Sequence, residues 1–239
     1  MDIAERSNDV ALMNRQSRPR ASAGRPDARP VILEAARIHF AEHGFQGSSL
    51  RRITQKAGVN IALISYHFGS KQKLFESVLA DCVERLNKPR LDALEKIERE
   101  SGGQAVAVED LISAYVLPYR LAAEEKSVEA RIYIRFFGRL FTEPTDQMRR
   151  MLRMPFAGLH ERYAAAFARS LPHVPLEDVY YRFTSMNGAI AFMFVETGAL
   201  ELMSDGLCST KPAGRFWKEF VRNWSAMLSA PASQRTIKS

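Results

Sequence analysis

Apolar residues recur at helical spacing along most of the chain, and the period-two alternation of half-buried strands is nearly absent. Between Pro30 and Gly44, the apolar residues of one helical face are Ile32, Ala36 and Phe40. Glycine commonly follows the last turn of a helix because it adopts a left-handed conformation without strain. The pattern predicts a first helix that ends at Gly44.

Capping residues place the next three helices. Ser48 or Ser49 is positioned to cap the second helix, because a serine side chain accepts a hydrogen bond from the first helical turn. Asn60 and Ser70 stand in the same position before the third and fourth helices. The fourth is longer, and the pattern continues helically after Pro89. The predicted helices cover residues 50–58, 61–68 and 71–100.

Every segment beyond a Ser-Gly-Gly break at residues 101–103 again has helical spacing, with proline or glycine between segments. The sequence shows no internal repeat. It therefore predicts an all-α chain of about nine helices. The later helices are expected at roughly residues 106–123, 126–141, 145–170, 176–203 and 213–229.

The positive charge is concentrated near the N-terminus. The net charge is +7, and residues 1–80 hold 12 basic and 7 acidic side chains, whereas residues 81–239 hold 22 and 20. This balance favours a polyanionic partner such as nucleic acid. Residues 14–30 read as a flexible basic arm, which is either a solvated tail or a segment that follows a phosphate backbone or a minor groove. Its arginines are Arg15, Arg18, Arg20, Arg25 and Arg29.

Composition also limits the compartment and the chemistry. Cys82 and Cys208 are far apart and belong to no Cys or His cluster, so neither a disulfide framework nor a cysteine zinc site is indicated. The longest apolar run, residues 188–195, is far below the roughly 20 residues that a membrane span needs. We expect a cytoplasmic protein that has no membrane segment and no cofactor.

The stretch His39-Phe40-Ala41-Glu42-His43 matches the H-x-x-E-H pattern of one class of zinc peptidases. A working zinc site also needs a third ligand and an open cleft, and this short helix ends at a glycine that turns the chain. No Ser/His/Asp arrangement accompanies the five histidines. We therefore expect neither a metal site nor an enzyme, and His39 is left without an explanation.

The second and third helices are joined by residues 57–60 and form a predicted helix-turn-helix, in which Gly58 allows the tight turn. Near the end of the third helix lie Tyr66, His67 and Lys71, whose polar groups suit phosphate oxygens. The N-terminus of the fourth helix adds backbone N–H groups. Helix spacing alone fits any corner between two helices, but these donors favour a nucleic acid.

The run of residues 40–79 resembles the DNA-binding region of the TetR family of transcriptional regulators. The resemblance implies a homodimer whose third helices enter the major groove of a palindromic operator, while a larger C-terminal domain binds a small inducer. It implies a basic arm at 1–29, a DNA-binding domain at 30–76, an effector-binding and dimerisation domain at 77–230, and a tail at 231–239. Positions that match the family are Phe40, Gly44, Phe45, Ser48, Ser49, Ile53, Ala57, Gly58, Val59, Tyr66, His67, Phe68, Lys71 and Leu74.

The same resemblance implies roles for single residues. It places Ser49, Tyr66, His67 and Lys71 on phosphates, and it places Asn60, Ile61, Ala62 and Ser65 near base edges. Arg51 is a further candidate, which contacts either phosphate or only water. Many relatives carry tyrosine where this chain has Ser65, so that contact is in doubt. Apolar contacts with thymine methyl groups and the shape of the DNA are therefore expected to contribute more to sequence recognition.

The C-terminal part is similar to a subgroup of TetR-like repressors that sense long-chain fatty acids. This similarity implies a repressor released by a fatty acid or acyl thioester, with Arg135, Arg139 or Asn187 as partners of the polar head. An aromatic or other hydrophobic effector is an alternative, as is a DNA-binding protein with no small-molecule ligand. The candidate pocket residues are Tyr133, Phe136, Phe137, Arg139, Met151, Phe167, Met186, Asn187 and Phe192.

The resemblance also implies that the last two helices pair with their copies as a four-helix bundle. Small residues permit close contact between helices there, namely Gly188, Ala189, Gly198 and Ala199, and residues 216–228 supply an apolar partner segment. Packing within one chain is the alternative for the same residues. We expect a homodimer formed through these two helices.

Overall fold

The structure is a computed structural model. It describes residues 27–124, 128–142, 146–193, 198–210 and 213–232, without the side chains of residues 128–129, 131, 141–142, 146–155, 193, 199 and 213. These ranges contain helices and no strand. The helices are α1 (Ala28–His43), α2 (Leu50–Ala57), α3 (Ala62–His67), α4 (Lys71–Glu100), α5 (Val108–Glu124), α6 (Val128–Thr142), α7 (Asp146–Ser170), α8 (Leu176–Met193), α9 (Ala199–Met203) and α10 (Ala213–Ser229).

The all-α prediction is confirmed, with one difference in the number of helices over the described ranges. A single helix was expected over residues 176–203, but α8 ends at Met193 and the short α9 begins after Gly198. Gly198 has a positive φ of 59°, which a continuous helix does not accommodate. Helix α4 runs through Pro89 without interruption, as the spacing on both sides of that residue predicted.

Three of the predicted caps can be compared with the structure. The Ser70 side chain accepts a hydrogen bond from the N–H of Lys73, so this cap is confirmed. Asn60 Oδ1 accepts a hydrogen bond from the N–H of Ala62 at 2.8 Å, but the N-cap position of α3 is occupied by Ile61, one residue later than predicted. The expected cap of α2 is wrong, because Ser49 makes no side-chain cap bond. The Ser48 hydroxyl instead donates to the carbonyl oxygen of Gly44 at 2.6 Å, which closes the turn after α1.

The N-terminal unit consists of α1, α2, α3 and the first half of α4. Its core is built on apolar side chains such as Ile32, Phe40, Ile53 and Leu74, all 1% exposed or less. Helix α6 packs on this unit, because Phe136 belongs to the same cluster and its ring lies 5.8 Å from that of Phe75. Helix α6, which is distant in sequence, therefore completes the core of the N-terminal unit.

The larger unit consists of the second half of α4 with α5, α7, α8 and α10. Its core is a separate cluster, in which α5 is packed against both α4 and α10. Aromatic side chains dominate its centre: the rings of Tyr115, Tyr163 and Phe183 lie within 4.9 to 6.4 Å of one another. Within the part of the chain that the structure describes, no helix is long and apolar enough to cross a membrane.

Candidate nucleic-acid interface

The turn between α2 and α3 has the geometry that its sequence predicted. Gly58 adopts a left-handed conformation with φ 66° and ψ 28°, and its N–H is bonded to carbonyl groups of the last turn of α2. The N–H of Val59 donates to the carbonyl oxygen of Thr54 at 3.1 Å, and its side chain packs against the N-terminal core. These bonds fix the angle at which α3 leaves the turn.

Helix α3 is held to the core by one face. Ile64 is 1% exposed and Phe68, at the end of the helix, is 6% exposed. The opposite face points to solvent and carries the candidate base-contacting residues Asn60, Ala62 and Ser65, all exposed. Ile61, the other base-contacting candidate, is half exposed. The short helix therefore presents its polar and small side chains outward on a rigid support.

The candidate phosphate contacts lie at the exit from α3. Tyr66 is 81% exposed, an unusual position for a large aromatic side chain, and its ring lies 4.9 Å from that of half-buried His67. Lys71 Nζ lies 4.7 Å above the Phe45 ring and 3.5 Å from the carbonyl oxygen of Gln46. Partial burial lowers the pKa of Lys71. Stacking on Phe45 holds this ammonium group beside α3.

Helix α2 contributes further charge to this surface. Arg51 and Arg52 are exposed, and Ser49 lies half-buried at the helix start, where its hydroxyl is not used as a cap. Within the described residues, no carboxylate forms an ion pair with Arg51, Arg52 or Lys71. A cluster of cations without acidic partners is the electrostatic requirement for binding a polyanion.

His39, which the sequence left unexplained, is a buried histidine with a partner. It is 5% exposed, and its Nε2 accepts a long hydrogen bond of 3.4 Å from the N–H of Ser49 at the start of α2. Burial first, and then the charge of His43, lower the pKa of His39. The neutral ring therefore links the end of α1 to the start of α2.

The H-x-x-E-H segment does bring its three polar side chains together. One ligand atom from each of His39, Glu42 and His43 lies within 4.8 Å of the others. Lys56 Nζ also lies 3.8 Å from a Glu42 carboxylate oxygen, and its positive charge opposes a bound cation. A structural helix end remains our interpretation of this segment.

Four candidate pocket residues, all on α6, face the N-terminal unit. Phe136 and Phe137 are 2% exposed in its core. The Tyr133 hydroxyl accepts a hydrogen bond from Arg37 of α1. Arg139 donates to the carbonyl oxygens of Ala41 at 3.1 Å and Glu42 at 2.9 Å, which caps the C-terminus of α1. These contacts give the four residues a role in joining α6 to α1, and a role in lining a pocket stays a prediction.

The remaining pocket candidates lie in or near the larger core. Phe167 and Met186 are fully buried there, and Phe192 is 56% exposed. Asn187 is half-buried, accepts a hydrogen bond from the Tyr115 hydroxyl at 2.5 Å and donates one to the carbonyl oxygen of Phe183 at 2.8 Å. The side chain of Met151 lies outside the described residues.

Sequence reasoning missed the most unusual polar residue of the larger unit, Arg90. Its guanidinium is fully buried between the rings of Tyr115 and Tyr119, at 4.0 and 4.4 Å from their centres. The signal was present in the sequence, because Arg90 is four residues from both Leu86 and Leu94 on the apolar stripe of α4. A charged residue on such a stripe is an exception that needs a reason.

The solvent side of α8 is apolar for its first turns. Leu176, Tyr180 and Tyr181 are 42 to 66% exposed and line a shallow groove with Glu177 and Thr184. Among the candidates for close helix contact, Gly188 is exposed on the same helix. On α10, Met227 is half exposed. An aromatic helix face that faces water in a single chain is typical of a surface that another protein covers.

Two family models match the chain. One, described as bacterial regulatory proteins of the tetR family, matches residues 32–78, and the other, described as a tetracyclin repressor-like C-terminal domain, matches residues 113–227. The HTH-type transcriptional repressor AcnR of Corynebacterium efficiens is 40% identical over 60 residues, 25% of this chain and 32% of AcnR. The HTH-type transcriptional repressor NicS of Pseudomonas putida is 43% identical over 68 residues, 27% of this chain and 32% of NicS. The chain thus spans about a third of the length of these curated relatives.

Solved structures share the fold over most of the chain. A transcriptional regulator from Rhodococcus sp. RHA1 has a TM-score of 0.58 and 16% sequence identity, covering 84% of this chain and 95% of the regulator. HlyIIR, a hemolysin II transcriptional regulator, has a TM-score of 0.56 and 15% identity, covering 85% of this chain and 97% of HlyIIR. At such low identity, the likeness establishes the fold alone.

Proposed function

Because the chain belongs to the TetR family of bacterial regulatory proteins, we propose that it is a DNA-binding transcriptional regulator and not an enzyme. In this proposal it is a repressor that leaves a palindromic operator when a hydrophobic effector binds. The family models match the helix-turn-helix and most of the larger unit, which are the parts that such a regulator uses.

The observation that carries this proposal is the outward face of α3 and its exit. There a helix of six residues is fixed to the core by Ile64, exposes Ser65 and Tyr66, and is flanked by cations that have no acidic partners in the described chain. Phosphate contacts set the position of a protein on DNA, and groove contacts set its sequence preference. In the proposed roles, Ser49, Tyr66, His67 and Lys71 bind phosphates, with Arg51 beside them.

A gel-shift assay with the full chain tests DNA binding. The two labelled probes are the DNA upstream of the gene that encodes this protein and an unrelated duplex of the same length, and unlabelled unrelated DNA is added to each in increasing excess as the competitor. We expect the upstream probe to be retained at a competitor excess that strips the unrelated probe. Equal retention of both probes contradicts specific recognition.

We propose that the functional form is a homodimer held by α8 and α10. The support is the apolar outward face of α8, which Leu176, Tyr180 and Tyr181 form, together with Met227 on α10. A two-fold axis along these helices pairs each face with its own copy and places one α3 on each side. Native mass spectrometry is expected to show twice the chain mass of 27.0 kDa, and a monomer contradicts this arrangement.

The proposed effector is a fatty acid or an acyl thioester bound in the larger unit. An aromatic or other hydrophobic compound is the second candidate, favoured by the ring cluster around Tyr163 and Phe183. In either case effector binding shifts a population towards a spacing of the two α3 helices that no longer fits successive major grooves. Helix α4 spans both units, and α6 contacts α1. Either helix can transmit the change.

The remaining alternative is a DNA-binding protein with no small-molecule ligand. The same native mass spectrum separates the two, because a protein with an apolar pocket retains co-purifying compounds that add a defined mass. Adding such a compound to the gel shift should release the upstream DNA. Unchanged DNA binding in the presence of every co-purifying compound favours the alternative.

A further inference from the structure

Arg90 is buried in a way that leaves its guanidinium only partly bonded. Its exposed fraction is 0%. Nε donates to the carbonyl oxygen of Tyr115 at 2.8 Å, and Nη1 lies at the long distance of 3.5 Å from Asn87 Oδ1. Nη2 is buried and makes no hydrogen bond of good geometry, although the Tyr119 side chain is close enough to interact with the guanidinium as a weak hydrogen-bond partner. Among the described side chains, one of the three guanidinium nitrogens therefore has no well-formed hydrogen bond.

The charge of Arg90 is also without a counterion. Within the described residues no aspartate or glutamate forms an ion pair with it. A buried lysine or carboxylate relieves such a position by becoming neutral, but a guanidinium stays protonated at any ordinary pH. The faces of Tyr115 and Tyr119 compensate only part of the lost hydration. The described residues therefore leave the positive charge of Arg90 only partly balanced.

A purely structural role explains part of this arrangement. Pro118 has no N–H to donate to the Ala114 carbonyl of α5. Arg90 Nε donates to the adjacent carbonyl oxygen, that of Tyr115, and this bond ties α4 to the interrupted turn. A single hydrogen bond to a carbonyl does not require a charged group, and a neutral side chain serves as well. The structural role therefore accounts for Nε and leaves Nη2 and the charge unexplained.

The groups around Arg90 suit a carboxylate on a hydrophobic body. The Tyr115 hydroxyl donates to Asn187 and lies 3.3 Å from His160 Nε2. Burial, and then the charge of Arg90, lower the pKa of His160, so its ring is neutral. The His160 ring lies 5.4 Å from that of Phe183 and is stacked at 6.0 Å on that of Phe156. Polar donors thus meet an aromatic wall between α4, α5, α7 and α8.

We infer that Arg90 anchors the carboxylate of a hydrophobic effector. The Tyr115 hydroxyl becomes a second donor when its proton turns from Asn187 Oδ1 to the ligand, and His160 and Asn187 lie at the edge that solvent reaches. The inference rests on the proposed function, in which the larger unit binds an effector. It selects a free carboxylic acid over its coenzyme A thioester, because a thioester carbonyl carries no charge to balance Arg90. Arg90 is fully enclosed without the ligand, so binding must separate side chains of α7 and α8 and thereby changes their packing.

Calorimetric titration of the full chain tests this inference with defined probes. Dodecanoate represents an aliphatic acid and 2-naphthoate an aromatic acid, and the affinity of each acid is compared with that of its methyl ester. Dodecanoyl coenzyme A is titrated as the thioester. We expect at least one acid to bind about tenfold or more tightly than its ester, since a charged hydrogen bond is lost in the ester. Dodecanoyl coenzyme A should bind no better than the methyl ester of dodecanoate. Equal affinity for acids and esters, or no binding of either acid, overturns the inference.

Variants locate the effect at Arg90. Arg90→Met should remove the preference for the acid and leave ester binding in place, whereas Arg90→Lys should keep part of the preference. Arg120→Met removes an exposed arginine on α5 and should change neither. Tyr115→Phe keeps the ring over Arg90 and loses only the hydroxyl, so it provides a second test if Arg90→Met does not fold. An acid preference that survives both Arg90→Met and Tyr115→Phe contradicts the assignment.

The DNA gel shift distinguishes failure of the Arg90 inference from failure of the proposal that the protein is a transcriptional regulator. A protein that binds its upstream DNA and is released equally by acid and ester is a regulator without an anion subsite. A protein that prefers the acid through Arg90 but binds no specific DNA has the subsite without the proposed function. The two results require different corrections.

Discussion

Among the described side chains, each of the two units buries one arginine, and the two arginines are compensated differently. Arg37 of the N-terminal unit is 6% exposed, forms an ion pair with Glu34, lies 3.9 Å from an Asp81 carboxylate oxygen and donates to the Tyr133 hydroxyl. Arg90 of the larger unit is fully buried, has two aromatic neighbours and has no acidic partner in the described chain. Arg37 has its counterions within the fold, whereas Arg90 lacks one.

This difference distinguishes the structural residue Arg37 from Arg90, the proposed anchor of a ligand. Arg37 joins α1, α4 and α6, so its bonds hold the N-terminal unit to a helix that is remote in sequence. An uncompensated buried charge lowers the stability of the free protein, because the charge loses its hydration without gaining a full set of partners. Among the described residues, the charge of Arg37 is therefore balanced within the fold, while that of Arg90 is not.

The largest expected effect is the loss of the contact between α6 and the N-terminal unit. Phe136→Ala removes a 2% exposed ring from that core and should lower the free energy of unfolding by about 3 to 5 kcal/mol, because a cavity remains. Chemical denaturation measures the change. Phe192→Ala, at a 56% exposed position, is the matched control and should change stability by less than about 0.5 kcal/mol. Similar losses in both variants would show that α6 does not belong to that core.

The comparison of the two arginines predicts a smaller and asymmetric effect. Arg37→Met should cost about 1 to 3 kcal/mol of unfolding free energy, because charged hydrogen bonds are lost. Arg90→Met should change the stability of the ligand-free protein by less than about 1 kcal/mol, or increase it, because relief of the buried charge offsets the lost bond to Tyr115. Denaturation of both variants without ligand measures this asymmetry. An Arg90→Met loss as large as that of Arg37→Met assigns Arg90 a structural role.

The smallest expected effect is a pH dependence at the joint between α1 and α2. The folded state holds the pKa of His39 below its usual 6.5, so at mildly acidic pH the unfolded chain binds a proton that the folded chain does not. Stability should therefore fall as pH decreases through about 6.5. His39→Gln should reduce this slope, as measured by denaturation midpoints at several pH values. An unchanged slope in His39→Gln would place the titrating group elsewhere.

The sequence revealed the N-terminal unit better than the larger one, and the reasons are physical. Helix starts, turns and the outward face of α3 depend on local residues such as Gly58, Asn60 and Ser70, whose effects act within one turn. The packing of α6 on α1 joins residues about a hundred positions apart, and neither Phe136 nor Arg139 carries a local sign of it. The aromatic residues of α6 therefore suggested a ligand pocket, whereas in the structure they pack α6 against the N-terminal unit.

Two further outcomes show the same limit. Serine is a common capping residue, yet the Ser49 side chain makes no cap bond to α2. The Ser48 hydroxyl instead closes the turn after α1, because tertiary geometry decides which hydroxyl reaches a backbone group. Arg90 was visible as a charge on an apolar stripe, but its significance depends on the absence of an acidic neighbour among the described residues. The residues that surround Arg90 come from α5, α7 and α8, which are far from Arg90 in sequence.

The salt dependence of DNA binding tests the central claim most directly. Binding of the full chain to its upstream DNA is measured by fluorescence anisotropy at several salt concentrations, for the native protein, for Lys71→Ala and for Lys96→Ala as a control that removes the same charge far along α4. We predict that Lys71→Ala weakens binding to all sequences and reduces the slope of log affinity against log salt by about one, while Lys96→Ala changes neither. An unchanged slope for Lys71→Ala, or an equal loss for both variants, contradicts the assignment of DNA binding to the exit of α3.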